Sequence, residues 1–388
     1  MGPSLSAQAL IERATTKTGL TEFGDPPWRD GLEILIASLE REAQLNDVGR
    51  LAFARRLTHL LETRLGIVDW QRRHPEISLQ QITRPAIIIG LPRTGTTALS
   101  NLMLQDPATR SLRYWEVAEP TPPPEAATYH TDPRIAERQR KIDALHQQVP
   151  ALKVLHAATA TSAAEGSELL MMTFASFHFV AYAAMPTYER WWLSQGMASA
   201  YGFQRGVLQL LQWRCPPTRW HLKNPADMFC LGAVRAVFPD AVFIWTHRDP
   251  ARLLASICSL YATSRGMGTD CVDRLSLGAE HLERWSECIG RAMAYRQAHR
   301  QIFLDLQMRD IVADPIATVA RVYEWLGWPF TTEAETAMAR WAEENPQGVY
   351  GRHDPNPADF GLDLDAVRER FAEYLERFDL GETRGGQA

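Results

Sequence analysis

A chain of 388 residues, 45% hydrophobic and 22% charged, has the balance of a folded protein with a large core, which excludes extended disorder. Its net charge of −5 provides no global basic field for nucleic acid or an anionic membrane, so any polyanion must be caught locally. Five cysteines, odd in number and never at CxxC spacing, disfavour a disulfide framework and a structural zinc and fit a reducing, cytoplasmic compartment.

The N-terminus lacks the basic and apolar regions of a secretory signal. Met1–Ser6 matches a myristoylation pattern only formally, because so short a pattern arises by chance and Pro3 does not help it. Residues 1–83 read as a helical extension packed on the core. One helix follows Asp30, with Leu32, Leu35, Ile36 and Leu39 at helical spacing, and a second covers roughly Asp47–Leu65. Arg84-Pro85 then leads into Ala86–Ile89 (AIII), a short apolar run ended by glycine, as expected of a central parallel strand buried on both faces. Thr97–Leu104 reads as helix, and Glu119–Glu125 as a proline-rich surface connection.

Residues 132–215 read as mostly helical. Within them Leu169–Pro186 approaches membrane-spanning length, yet it carries Ser176, His178 and Tyr182 and lacks basic flanks, so a buried helix is expected. Further strands are expected at Arg219–Lys223, Ala241–Thr246 and Gln301–Leu306, with a helix at Pro315–Leu326. Strands alternating with helices predict a three-layer, P-loop-like α/β fold with a central parallel sheet flanked by helices. Its core spans residues 84–330, with a helical insertion at about 119–215. Residues 331–388 supply C-terminal helices and a closing loop, the whole forming one structural domain with a frayed tail over the last eight residues.

Between the first strand and its helix lies Gly90-Leu91-Pro92-Arg93-Thr94-Gly95-Thr96-Thr97. Glycines let the backbone approach oxyanions, and the amides of a helix start point positive dipole at them. The spacing is that of a Walker A loop, but Thr96 stands where an NTPase needs lysine to reach the β- and γ-phosphates. Such a loop can hold a phosphate without being built to transfer a γ-phosphoryl group.

The loop resembles that of the sulfotransferase superfamily that uses 3′-phosphoadenosine 5′-phosphosulfate (PAPS). The form PRTGTT is similar to the arginine-loop branch, which contains many bacterial enzymes. The resemblance implies that Pro92, Arg93, Thr94, Gly95, Thr96 and Thr97 grip the 5′-phosphosulfate, with Arg93 a fixed cationic clamp. The family's second signature is an arginine just beyond a strand and a serine eight residues later, both on the 3′-phosphate. Arg248 and Ser256 match it. Arg352, in a glycine- and basic-rich stretch, is a counterpart of the C-terminal loop that closes over the 3′-phosphate in cytosolic relatives. The implied products are an O-sulfate and 3′,5′-ADP, with no metal.

Sulfuryl transfer needs positioning, charge stabilisation and a base for the acceptor hydroxyl. Lys223 matches the family's Leu-Lys-x-Pro element and would follow charge on the leaving phosphate. By the branch's spacing Glu116, partly desolvated by Trp115, is the expected base; His221 and Asp227 are its rivals. Asp227 stands where related bacterial sequences often show histidine. The aromatic stretch Glu165–Tyr201 would either wall a small hydrophobic or aromatic acceptor or simply pack the core, the commoner role of such a stripe, with Glu165 and Glu168 either binding a polar acceptor group or capping a helix. Asp363 reads as a helix cap rather than half of a metal motif. A P-loop kinase and a noncatalytic 3′,5′-ADP-binding protein are the alternative functions, and the sequence is compatible with a homodimer.

Overall fold

The computed structural model describes residues 5–25, 27–346, 348–349, 351 and 353–381. Five strands form one parallel sheet: β1 (Ala86–Gly90), β2 (Thr109–Arg110), β3 (Arg219–Lys223), β4 (Val242–His247) and β5 (Phe303–Gln307), in the order β2-β3-β1-β4-β5. The three-layer α/β expectation is met. From β1 the chain moves to one side for β2 and β3 and to the other for β4 and β5. Such a switch point leaves a crevice at the carboxyl ends of β1, β3 and β4, where open α/β sheets bind their ligands.

The continuous apolar run in β1 has a simple cause. Ile87 and Ile89 join one core with Trp220, Leu222, Phe243 and Trp245, while Ala86 and Ile88 join another with Val242, Ile244 and Leu306. Side chains alternate between faces, and both faces are covered by helices. The first core takes in the N-terminal helices α1 (Ala7–Thr18), α2 (Trp28–Arg41) and α3 (Asp47–Arg73). The second is covered by α4 (Thr96–Met103) and the helices Pro315–Leu326 and Thr332–Glu344.

Among the described residues no helix is long and apolar enough to cross a membrane. Leu169–Pro186 is not one buried helix but a broken segment. Helix Gly166–Leu170 passes into a 3₁₀ turn at Met171–Thr173, then Phe174 at φ +55°, then a second 3₁₀ turn at Phe177–Ala181. The Tyr188 hydroxyl holds the break, donating to the Phe174 and Ser176 carbonyls and accepting from the Ser176 amide. The helix expected to end near Leu65 continues to Arg73. Asp363 caps its helix through Ala366 N at 2.8 Å. All five cysteines are free. Of the tail read at residues 381–388, all but Gly381 lie outside the described residues.

Candidate active site

The loop after β1 is shaped by three residues at positive φ, Gly90, Arg93 and Gly95. Gly90 has φ +149°, and a Cβ there would collide with the Thr246 hydroxyl and meet the Thr94 hydroxyl at 2.7 Å, so the position admits only glycine. Arg93 is held at φ +74°. Thr94 Oγ1 donates to the Leu91 carbonyl and lies 2.7 Å from Thr246 Oγ1, which ties the loop to the end of β4. Gly95, at φ +90°, precedes α4. Among the described residues, the amides of Gly95, Thr96 and Thr97 make no protein hydrogen bond and remain available to an anion.

Two guanidinium groups converge beside this loop. Arg93 Nη1 donates to the Leu155 carbonyl at 2.6 Å, and Arg248 Nη1 donates to the Arg93 carbonyl at 3.3 Å. Neither forms an ion pair with a carboxylate among the described residues. Burial, then the nearby Arg248, pulls Arg93 below its ordinary range; burial and Arg252 do the same to Arg248. Two cations held together at such a cost point to an anion between them. Ser256 supplies a second sign: its Oγ is buried and has no hydrogen-bond partner among the described residues. His353, in the C-terminal segment, reaches Ser259 Oγ at 2.7 Å, and burial and Arg93 hold its imidazole below the usual value. Arg352 itself lies outside the described residues.

Lys223, at the end of β3, faces α4 and is fully buried. Its Nζ donates to Thr97 Oγ1 and to Glu165 Oε1, each at 3.2 Å. Glu165 sits at the N-cap of the helix Gly166–Leu170 but makes no cap bond; its carboxylate turns to Lys223 instead, with 23% of the side chain exposed. Burial alone would raise its pKa, but Lys223, His178 and His156 outweigh burial and bring it below the ordinary value. The phosphate loop, a lysine and a carboxylate are thus joined in one hydrogen-bonded line.

The pattern of the sulfotransferase family matches residues 85–332, from the start of β1 through the helix after β5. The chain belongs to the sulfotransferase family. Among solved structures it is similar to sulfotransferase STF1 from Mycobacterium tuberculosis, at 31% identity over 96% of this chain and 100% of that one, with a TM-score of 0.86. Sulfotransferase STF9 from Mycobacterium avium is 29% identical over 97% of each chain, with a TM-score of 0.90. No curated protein sequence matches the chain.

Within this sulfotransferase Glu116, His221 and Asp227 make no hydrogen bond to the Lys223–Glu165 line among the described residues, although Asp227 is near enough to Glu165 to feel its charge. Glu116 is fully buried, paired with Arg110, and accepts from the Arg113 amide and the Tyr129 hydroxyl, each at 3.2 Å. His221 is fully buried, its Nε2 against Ser100 O at 3.0 Å, and burial drives its pKa down to about 4. Asp227, buried under the Tyr201 hydroxyl and Asn224, is pushed up to about 7 by burial. Sequence reading passed over His156, whose Nε2 lies 2.7 Å from the Tyr114 hydroxyl and which Lys223 and burial hold near 4. It also passed over Ser167 and His178. No motif marks these residues; only the fold brings them to Glu165. Among the described residues no group of three or more His, Cys, Asp or Glu is placed to hold a metal.

Proposed function

We propose that this sulfotransferase moves the sulfuryl group of PAPS to a hydroxyl of a small hydrophobic or aromatic acceptor by in-line displacement, in the cytoplasm. The observation that carries the donor assignment is the buried Ser256 Oγ, without a hydrogen-bond partner among the described residues and eight residues beyond Arg248, together with the adjacent Arg93 and Arg248, which form no ion pair among those residues. A nucleotide bearing both a 5′-phosphosulfate and a 3′-phosphate supplies two anions for these groups, whereas ATP supplies only its 5′-triphosphate and has no 3′-phosphate. PAPS, when bound, would supply an electrophilic sulfuryl group and a phosphate leaving group.

The protein's own part is charge and a proton. Arg93 and the available amides of Gly95, Thr96 and Thr97 would hold the 5′ end, with Thr94 fixing the loop through its bonds to Leu91, and Arg248 and Ser256 the 3′-phosphate, with Arg352 assigned to the same phosphate by resemblance alone. Lys223, already on Thr97, stands where charge on the leaving oxygen can be met. Glu165, not Glu116, is the base in this reading. It is partly exposed, ionised by its neighbours and one hydrogen bond from Lys223, so it can take the acceptor proton as the oxygen attacks. Glu116 has both oxygens engaged in the interior.

Calorimetric titration with 3′,5′-ADP against 5′-AMP tests the donor assignment. Tighter binding of 3′,5′-ADP by roughly 10- to 100-fold is expected from one or two charge-assisted hydrogen bonds. Equal affinities would rule out a 3′-phosphate site at Arg248 and Ser256.

A further inference from the structure

Lys223 occupies one oxygen of Glu165; the other leads to a second cation. Ser167 Oγ donates to Glu165 Oε2 at 3.3 Å and lies 3.2 Å from His178 Nδ1. His178 Nε2 is 3.0 Å from the Tyr182 hydroxyl and 3.7 Å from Glu168. Arg56, from α3 in the N-terminal extension, lies over the Tyr182 ring at 3.7 Å. The line Thr97–Lys223–Glu165–Ser167–His178–Tyr182 is therefore continuous, with Glu165 at its middle.

The direction of these bonds follows from counting protons. Burial would neutralise His178, but Tyr182, Glu168 and Glu165 outweigh it and raise the imidazole to about 9. An imidazolium donates from both nitrogens, so Ser167 Oγ must accept from Nδ1–H and has only its single proton left, which goes to Glu165. A doubly protonated ring cannot take up the proton that Glu165 removes from an acceptor. The arm is thus an orienting device rather than a proton exit.

The other charged and titratable groups around it leave this assignment intact. Glu165 faces Lys223 from β3, His156 beyond the helix Pro150–Leu155, and Asp227, Tyr114 and Tyr261. His178 faces Tyr182, Glu168, Glu165, Arg56 and His156. His156, held near 4 by burial and Lys223, is neutral at physiological pH. Lys223 and His178 are then the cations at the two oxygens of Glu165.

We propose that His178 is a positioning residue for the transfer reaction: acting through Ser167, it keeps the Glu165 carboxylate ionised and aimed, opposite Lys223. This rests on Glu165 being the base. Infrared spectra recorded through a pH titration, wild type minus Glu165→Gln, isolate the Glu165 carboxyl band without any bound nucleotide or acceptor. In a His178→Asn background, which keeps a neutral donor toward Ser167 but removes the charge, the Glu165 midpoint should rise by about one pH unit or more. Ser167→Ala should also raise it, by less, because a hydrogen bond to the charged form is lost while the imidazolium stays. An unchanged midpoint in His178→Asn overturns the proposal; should that variant fail to fold, an unchanged midpoint in Ser167→Ala does so.

Turnover with PAPS and benzyl alcohol as probe acceptor separates the two readings. The acidic limb of the His178→Asn rate profile should move upward in step with the infrared midpoint. An active Glu165→Gln enzyme would remove the base assignment, and the positioning role with it. An inactive Glu165→Gln enzyme with an unmoved acidic limb in His178→Asn would remove the positioning role alone.

Discussion

Two glutamates, Glu116 and Glu165, carry the same functional group into opposite environments. Glu116 is sealed in with Arg110, whose guanidinium also donates to the Leu211 and Cys215 carbonyls. Breaking a buried pair leaves the remaining charge uncompensated, at about 3 kcal/mol or more. Glu116→Gln should therefore lower the melting temperature markedly. Glu165→Gln should melt near wild type and bind 3′,5′-ADP normally, yet lose turnover by about 10²–10⁴-fold on an aliphatic alcohol. A Glu116→Gln enzyme with wild-type melting and no turnover would return the base to Glu116. Arg248→Ala should weaken 3′,5′-ADP by about 2–3 kcal/mol while barely affecting 5′-AMP, since only the former has the 3′-phosphate. Equal losses in the two titrations would show that Arg248 reads another part of the nucleotide. Arg93, Arg248 and Ser256 could be put forward from the sequence because their spacing is local to one loop or one strand end. Glu165 was visible only as an acidic residue that either bound a polar acceptor group or capped a helix. Its meeting with Lys223, 58 residues away, is made by the fold.

At the scale of elements, the four long strands were readable to within two residues: β1 and β4 are buried throughout and written mostly in apolar residues, while β3 (RWHLK) and the half-buried β5 (FLDLQ) carry charged residues and were marked by the turns and helices around them. The two-residue β2 left no such signature. The segment Leu169–Pro186 shows the limit of the method: its composition announced burial correctly, but burial does not fix secondary structure. There Tyr188, beyond the apolar run, takes over backbone groups that a helix would have satisfied internally. The β1–loop–α4 element makes its own prediction. Gly90→Ala adds a methyl against Thr246 and Thr94 at a φ that side chains rarely adopt. It should cost about 1–3 kcal/mol and weaken 3′,5′-ADP binding as the loop shifts. Thr94→Ala, which removes the tie to Thr246 without a clash, should loosen binding with a smaller change in melting temperature. If Gly90→Ala binds and melts like wild type, the loop is not held in the shape described.

For the whole molecule, the buried titratable groups set a pH optimum of stability. His156 and His221 are held near 4, and His281 lower still, by burial first. Between about pH 4 and the ordinary imidazole value near 6.5, the unfolded chain binds protons that these residues refuse in the native state, so stability falls as pH drops through that window. On the alkaline side the sign reverses. His178, raised to about 9 by its anionic neighbours against the effect of burial, keeps its proton in the native state above the pH at which the unfolded chain releases it. Its contribution is present in full below about pH 6.5 and is lost as pH rises toward 9. Asp227, raised to about 7 by burial, adds a decline between about pH 4 and 7 that partly offsets the histidine gain. The melting temperature should therefore rise from pH 5, pass through a maximum between about 6 and 7, and fall toward pH 9. His178→Asn should flatten the alkaline fall and leave the acidic rise in place, because His178 is raised while His156, His221, His247, His281 and His353 are all lowered. A wild-type melting temperature that stays level from pH 6.5 to 9 would mean that His178 is neutral in the folded protein, and the orientation of Ser167 would then no longer be fixed by an imidazolium.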